Sequence, residues 1–454
     1  MDQEMEYARA IKEGTLELIC PEMELLVCPS YHEIALKGTG VIRSDDFGRL
    51  YFRMISPFVP GATRHKALFS SKPVGEIYAP EDHVMLRAVD ENGREWRSNQ
   101  LPLNLSNQIP LSNYHIRTNL VSIASFEERR EIDYSSIRIL IPNVRDLPFD
   151  MLTESRRFVA GKEAGGAFSF DHHEHEIGTA AVTFRREEDG FLSVLAGQKE
   201  PFVPTWTGLM CHALGLALAQ TMLPVVTVRE FKDRSDLCLH SGPFWRYSSH
   251  MPSPVPFTGP QGKHFWRLIE LFFTHIEKRQ FEPDPLLDEL EGVRRGAQGS
   301  FQTACLTLAV GIESITRLLL RDEFSALVPR PSIQPLLDHV DRWSGDVALK
   351  DRAIGALSRL AEVGVADLMY AWAKKTGANK ELVDAWKKLR HPKAHGEKVT
   401  EDSGWNLYCS AVELLHRIVA HAIGYNGPVL MTSQPGWGLD VHQNRGLRVG
   451  KPTQ

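Results

Sequence analysis

Through the first 250 residues apolar and polar positions alternate in short runs. Leu50, Phe52 and Met54 alternate with Tyr51 and Arg53, the period of two expected of a half-buried strand. Residues 40–42 and 50–55 flank a turn cluster, Ser44-Asp45-Asp46-Phe47-Gly48. Residues 84–89 and 94–96 flank Asp90-Glu91-Asn92-Gly93, where Asn-Gly supplies the positive φ that a tight hairpin needs. Residues 179–185 and 191–195 flank Glu188-Asp189-Gly190 in the same way. Three hairpin signals predict an antiparallel sheet, sandwich or barrel over 1–250, in one or two subdomains. A helix over 207–222 and a strand over 225–231 close this region.

Residues 251–262 carry Pro252, Pro254, Pro256 and Pro260, a spacing that forbids helix and predicts an extended linker. Beyond it the period becomes helical. Phe265, Ile269, Phe272, Phe273 and Ile276 form one face of a helix over 263–278. Further helices are predicted over 301–320, 347–362, 366–375, 380–389 and 400–423, with a loop at Pro329, Pro331 and Pro335. The expected fold is α+β and multidomain: a β-rich region, the linker, and an all-α bundle over 263–425. Residues 426–454 read as a loose, polar, Gly-rich tail that Trp437 can pin. Two separate periods predict that each part buries its own core, so a fragment beginning near Gly262 is expected to fold.

Composition narrows the function classes. In 454 residues, 43% are hydrophobic and 24% charged, enough apolar surface to order the chain. The net charge of −5 gives no global field toward nucleic acid, so such a partner needs a local basic patch. Six cysteines without a CxxC pair point to a reducing, cytoplasmic compartment. The acidic start, MDQEMEYARA, is no signal peptide, and no apolar run of 18 residues predicts a membrane span.

Phosphate loops of the GxxxxGK[ST] and GxGxxG types and the GxSxG elbow are absent. His172, His173 and His175 with Asp171, Glu174 and Glu176 suggest a metal site, since His173 and His175 share a face on a strand. A hydrophilic loop between the strands 167–170 and 177–184 explains the same residues better, and no metal or other cofactor is expected. Cys238 and His240 have the alternation of a thiolate–imidazole pair, but a strand face without a chemical role is the simpler reading.

The segment 386–398 is more informative. Arg390 and His395 stand in an Arg-x4-His spacing, and between Lys374 and Lys398 basic residues outnumber acidic ones. Leu382, Trp386 and Leu389 bury one helical face, after which Arg390 emerges and Pro392 is expected to break the helix. Arg390 and His395 would then converge across a turn. Imidazole moves protons near neutral pH, and a guanidinium holds a phosphate bidentately, as RNA transesterification requires. On the helix 301–320, Glu313 is a lone carboxylate on the stripe Leu306, Val310, Arg317 and Leu320. Two readings stand, and they are compatible: it pairs with Arg317 at i+4, and it reaches the Arg390 turn.

Leu389-Arg390 followed by Ala394-His395-Gly396, with Glu313 on an early helix, resembles the HEPN superfamily of helical ribonucleases. His391 stands where the family usually has Asn or another polar residue. The resemblance covers 263–425. With the β-rich front, the chain also resembles the ApeA-type anti-phage HEPN proteins. It implies a metal-independent endoribonuclease of anti-phage, abortive-infection or toxin-like defence. His395 would be general acid/base, Arg390 the phosphate clamp, Glu313 the orienting acid and His391 a helper. Lys387, Lys388, Lys393 and Lys398 would hold RNA, tRNA among the candidates. A homodimer is implied, with a phage-derived or small-molecule trigger at the front region. The alternatives are a non-catalytic RNA- or partner-binding module of the same fold, and a metal enzyme in the front region.

Overall fold

The computed structural model describes residues 3–28, 33–57, 83–103, 113–128, 133–144, 147–159, 162–242, 251–255, 262–279, 284–328, 333–361, 363–394, 401–434 and 438–441, with side chains omitted at 152–169, 188, 359–361, 391–394, 401–403 and 438–441. The architecture is α+β, with a large antiparallel sheet ahead of a helical region. It forms two compact units, Met1–Cys211 with Met222–Arg246, and His212–Thr221 with Tyr247–Gln454.

In the first unit a helix, α1 (Gln3–Glu13), precedes β1 (Glu17–Val27), β2 (Ile34–Ser44), β3 (Leu50–Pro57), β4 (Val84–Val89), β5 (Glu95–Leu101), β6 (Asn113–Asn119) and β7 (Ser122–Glu128). Then come β8 (Ser135–Pro142), β9 (Met151–Val159), β10 (Lys162–Ile177), β11 (Ala180–Arg186), β12 (Phe191–Gln198), the helix α2 (Trp206–Leu218), β13 (Val226–Glu230) and β14 (Arg234–His240). All fourteen strands join one sheet in the order β6-β3-β2-β1-β4-β5-β7-β14-β13-β8-β12-β11-β10-β9. The first seven strands in sequence form one half and the last seven the other, joined where β7 pairs with β14. The turn between β4 and β5 places Gly93 at φ +78°, the backbone its Asn-Gly pair announces. Met5, Ala8 and Ile11 of α1 enter a core shared with Phe52, Trp96, Leu140 and Val226. Alternate positions of β4 are buried (Val84, Leu86 and Ala88), as a sheet with one face on the core requires.

In the second unit α3 (Gly262–Glu277) is followed by α4 (Pro285–Ala297), α5 (Phe301–Phe324), α6 (Gln334–Asp341), α7 (Val347–Ala361), α8 (Val365–Thr376), α9 (Lys380–Ala394) and α10 (Glu401–Ala422). A short hairpin, β15 (Pro428–Met431) with β16 (Gly438–Val441), completes it. The central helix is α5, which packs against α4, α8, α9 and α10. Ser300 caps it by accepting from the Thr303 amide at 3.2 Å. Its packing on α4 is close: a Cβ at Gly311 would lie 2.3 Å from Val293 Cγ2. By length and composition residues 301–327 are apolar enough to cross a membrane, and half of the apolar window is buried within the protein.

Four sequence expectations change. The helix expected over 207–222 forms as one helix, Trp206–Leu218, but His212–Thr221 clusters with the second unit. There Ser253 Oγ donates to Ala217 O at 2.6 Å, and the guanidinium of buried Arg294 donates to His212 Nδ1 at 3.1 Å. A fragment beginning at Gly262 would therefore lack part of this unit's own packing. Of the linker expected over 251–262, residues 251–255 are buried and Pro254 O accepts from Leu430 N, so this part is packed backbone, while 256–261 lie outside the described residues. The loose tail expected after 426 instead begins with a docked segment. Thr432 Oγ1 donates to Cys409 O, and Ser433 donates to Glu413 Oε2 through both N–H and hydroxyl. Trp437 lies outside the described residues. Finally, the His172–His175 segment is strand, within β10, and not a loop; His173 pairs with Phe184 and His175 with Val182 of β11.

Candidate functional site

Helix α9 presents Leu382, Val383, Trp386 and Leu389 to the bundle, all buried, as their spacing requires. Trp386 fixes its position, since the indole N–H donates to Ala309 O on α5 at 3.0 Å. The helix does not break at Pro392 but runs to Ala394. Pro392 has no N–H, so the helix runs on past it without that residue's bond to the carbonyl four positions earlier.

One turn beyond Trp386, Arg390 meets Glu313 across 77 positions of sequence. Arg390 Nε and Nη2 both lie 2.8 Å from Glu313 Oε2. The other carboxylate oxygen, Oε1, accepts from Arg317 Nη2 at 3.0 Å. Both partners that the sequence offered Glu313 are therefore engaged at once. The carboxylate sits at the surface and not within a buried stripe, because Leu306 and Val310 beside it are 45% and 52% exposed. The Arg390 guanidinium also lies 5.8 Å from the Trp386 ring centroid, within cation–π reach.

These groups line an open groove of about 700 Å³. Arg317, Lys387, Lys388 and Arg390 supply four cations against one carboxylate, Glu313. Val365, Ala366 and Trp386 give it an apolar wall. Lys387 Nζ stands 5.6 Å from the Tyr370 ring centroid, and the Tyr370 hydroxyl donates to Asp384. Burial and that carboxylate push the Tyr370 phenol up to about 12, so it stays protonated beneath the ammonium.

His395 and Lys398 lie outside the described residues, as do the side chains of His391 and Lys393. The structure thus brings Glu313, Arg390, Lys387 and Lys388 together. Sequence reasoning did not assign Arg317 to the groove, although its i+4 spacing from Glu313 was the available signal. It also passed over a second constellation at the far end of α5. There Glu323 meets Lys375 Nζ at 2.8 Å and His421 Nε2 at 3.2 Å. Burial opposes ionisation of Glu323, but these two partners hold its carboxyl below the usual range.

The other candidates lose their chemistry. His173 Nδ1 is 2.6 Å from Asp150 Oδ1, and its ring stacks on His175 with centroids 5.6 Å apart. Burial pushes the His173 imidazole down despite that carboxylate. Among the described residues no three His, Cys, Asp or Glu side chains converge to hold a metal ion. His240 Nε2 is hydrogen-bonded to Thr227 Oγ1 at 3.0 Å. Burial pushes His240 down to about 4 and the Cys238 thiol up to about 11, so both are neutral and no thiolate–imidazolium pair exists near pH 7.

Comparison with known proteins finds no family model, no curated protein and no solved structure that matches this chain.

Proposed function

We propose that this protein is a metal-independent RNA endonuclease of the HEPN type. The observation that carries the reading is the Glu313–Arg390 contact, which joins a central-helix acid to the basic end of α9 in a cationic groove. In the proposed reaction a ribose 2′-oxygen attacks the adjacent phosphorus. The new O2′–P bond replaces the P–O5′ bond, leaving a 2′,3′-cyclic phosphate and a 5′-hydroxyl. His395 takes the 2′-hydroxyl proton or supplies one to the leaving oxygen, with His391 assisting. Arg390 offsets the charge that grows on the phosphate, and Glu313 fixes the plane of its guanidinium. Lys387 and Lys388, with Lys393 and Lys398, hold the backbone and make binding sensitive to salt.

The same reading takes the protein as cytoplasmic and dimeric, with the β-rich unit restraining the nuclease until a phage-derived or small-molecule trigger arrives. Exposed Leu306 and Val310, on the stripe that carries Glu313 and Arg317, offer apolar surface for a second copy. The second reading, a binding module that does not cut, is favoured by one fact: the Nε–Nη2 edge of Arg390 is already occupied by Glu313. The deciding experiment incubates the protein with total RNA and with tRNA in EDTA. Cleavage is expected for the wild type and is lost in Arg390→Ala and in His395→Ala. Wild-type-like cleavage by either folded variant would overturn the assignment; binding without cleavage by the wild type would favour the module.

A further inference from the structure

Arg317 has more charge than its structural role uses. Its side chain is 62% exposed, and its i,i+4 contact with Glu313 is a surface pair that adds little stability. Glu313 already has a cation in Arg390, so one carboxylate faces two guanidinium groups and a positive charge is left over. Arg317 and Lys388 make no other ion pair among the described residues, and both line the groove together with Lys387. The surplus cations lie on both sides of Glu313: Arg317 on α5, and Arg390, Lys387 and Lys388 on α9. Repeating negative charge would balance such a row; a single anion would not.

The groove's size adds a second constraint. About 700 Å³ lies in the range that encloses one drug-sized molecule, about 300–1,000 Å³. That matches a nucleotide or two of an unpaired strand, with the apolar wall of Val365 and Ala366 beside a base that pairing would otherwise cover.

We propose that Arg317 is a second phosphate-binding residue and that the groove takes an unpaired RNA strand. Arg390 engages one phosphate, Arg317 its neighbour, and Glu313 spaces the two guanidinium groups. The inference rests on the ribonuclease reading but is tested by binding, which does not require cleavage.

The test uses full-length protein carrying His395→Ala, so that RNA survives, and a fluorescein-labelled twelve-nucleotide oligo(U) followed by anisotropy across a salt series. Binding of oligo(U) is expected to be tighter than binding of a labelled RNA duplex of equal length. Adding Arg317→Gln should weaken oligo(U) binding about tenfold at low salt and lower the slope of log K against log salt by about 0.7, one phosphate contact of a single strand. Arg317→Lys should restore most of the slope, and a melting curve should establish that both variants are folded. An unchanged affinity and slope in Arg317→Gln would overturn the role of Arg317 while leaving the ribonuclease reading intact. Equal binding of duplex would overturn the single-strand assignment. No binding of either RNA by the parent would overturn the inference and the ribonuclease reading together.

Discussion

Replacing Glu313 by Gln separates stability from chemistry at the proposed site. The amide keeps the shape of the side chain and removes the charge that two arginines share. Both contacts are peripheral, with Arg317 62% and Arg390 47% exposed and the Glu313 side chain 23% exposed. Exposed pairs contribute about 0–1 kcal/mol each, so the two together cost at most about 2 kcal/mol. In a unit of roughly 200 residues each kcal/mol shifts Tm by about 2–4 °C, giving a fall of no more than about 8 °C. The rate should suffer far more. An Arg390 no longer held in plane misplaces its donors, and a misplacement of about 1 Å costs on the order of a hundredfold. RNA binding should hold or tighten slightly, because the groove gains a positive charge. Single-turnover cleavage of a labelled RNA in EDTA, with a thermal melt on the same preparation, reads both quantities. A wild-type rate in Glu313→Gln would refute the orienting role. A much larger loss of Tm would refute the treatment of the cluster as a surface feature.

Two further outcomes concern groups away from the groove. Arg294 is buried, and Glu291 Oε2 lies 2.9 Å from its Nη2; burial disfavours the Glu291 carboxylate, but Arg294 and Arg295 hold it ionised. Glu291→Gln should cost about 3–5 kcal/mol in urea unfolding, whereas the double replacement Glu291→Leu with Arg294→Met should recover most of it; equal losses in both would show that the pair's charge is irrelevant. His416 is buried and pushed down to about 3, so it is neutral when folded and charges near its ordinary value when unfolded. The unfolded chain binds the extra proton, so stability should fall as pH drops from about 6.5 toward 3, by about 1.4 kcal/mol per pH unit from this group. His416→Leu should flatten the slope by that amount, and an unchanged slope would count against it.

Much of this fold was legible because turn residues and periodicity are local signals. Gly48, Gly93 and Gly190 have φ of +74°, +78° and +75°, and each ends a turn that composition had marked. Helices α3, α5, α8 and α10 kept their bounds within a few residues because their apolar faces repeat. Helix α1 went unseen, and in the second unit so did α4 and α6, because Pro285 and Pro335 resemble loop punctuation. Each sits in a first turn, where a missing N–H costs no helical bond. The His172–His175 strand was read as a loop because charged and imidazole groups alternate with one another, leaving no apolar period. At the candidate site, Leu382, Trp386 and Leu389 were readable from spacing alone. The meeting of Glu313 with Arg390 was not, since no local pattern links residues 77 positions apart. Resemblance to a family supplied that expectation, and the packing of α9 on α5 through Trp386 gives its physical cause.

The order of strands in the large sheet also bears on how the chain is made. Helix α1 leaves the ribosome ahead of every strand of the sheet, yet it packs against β8 and β13, and its Met5, Ala8 and Ile11 share a core with Leu140 and Val226. Those strands appear more than a hundred and more than two hundred residues later. At roughly 5–20 residues per second, the apolar face of α1 waits about ten seconds or longer for its full complement of neighbours. Meanwhile β1 to β7 can pair among themselves, but β7 keeps an open edge until β14 emerges. A nascent chain halted between these points would display both an uncovered helix face and an unpaired strand, the two surfaces that chaperones and aggregating neighbours recognise.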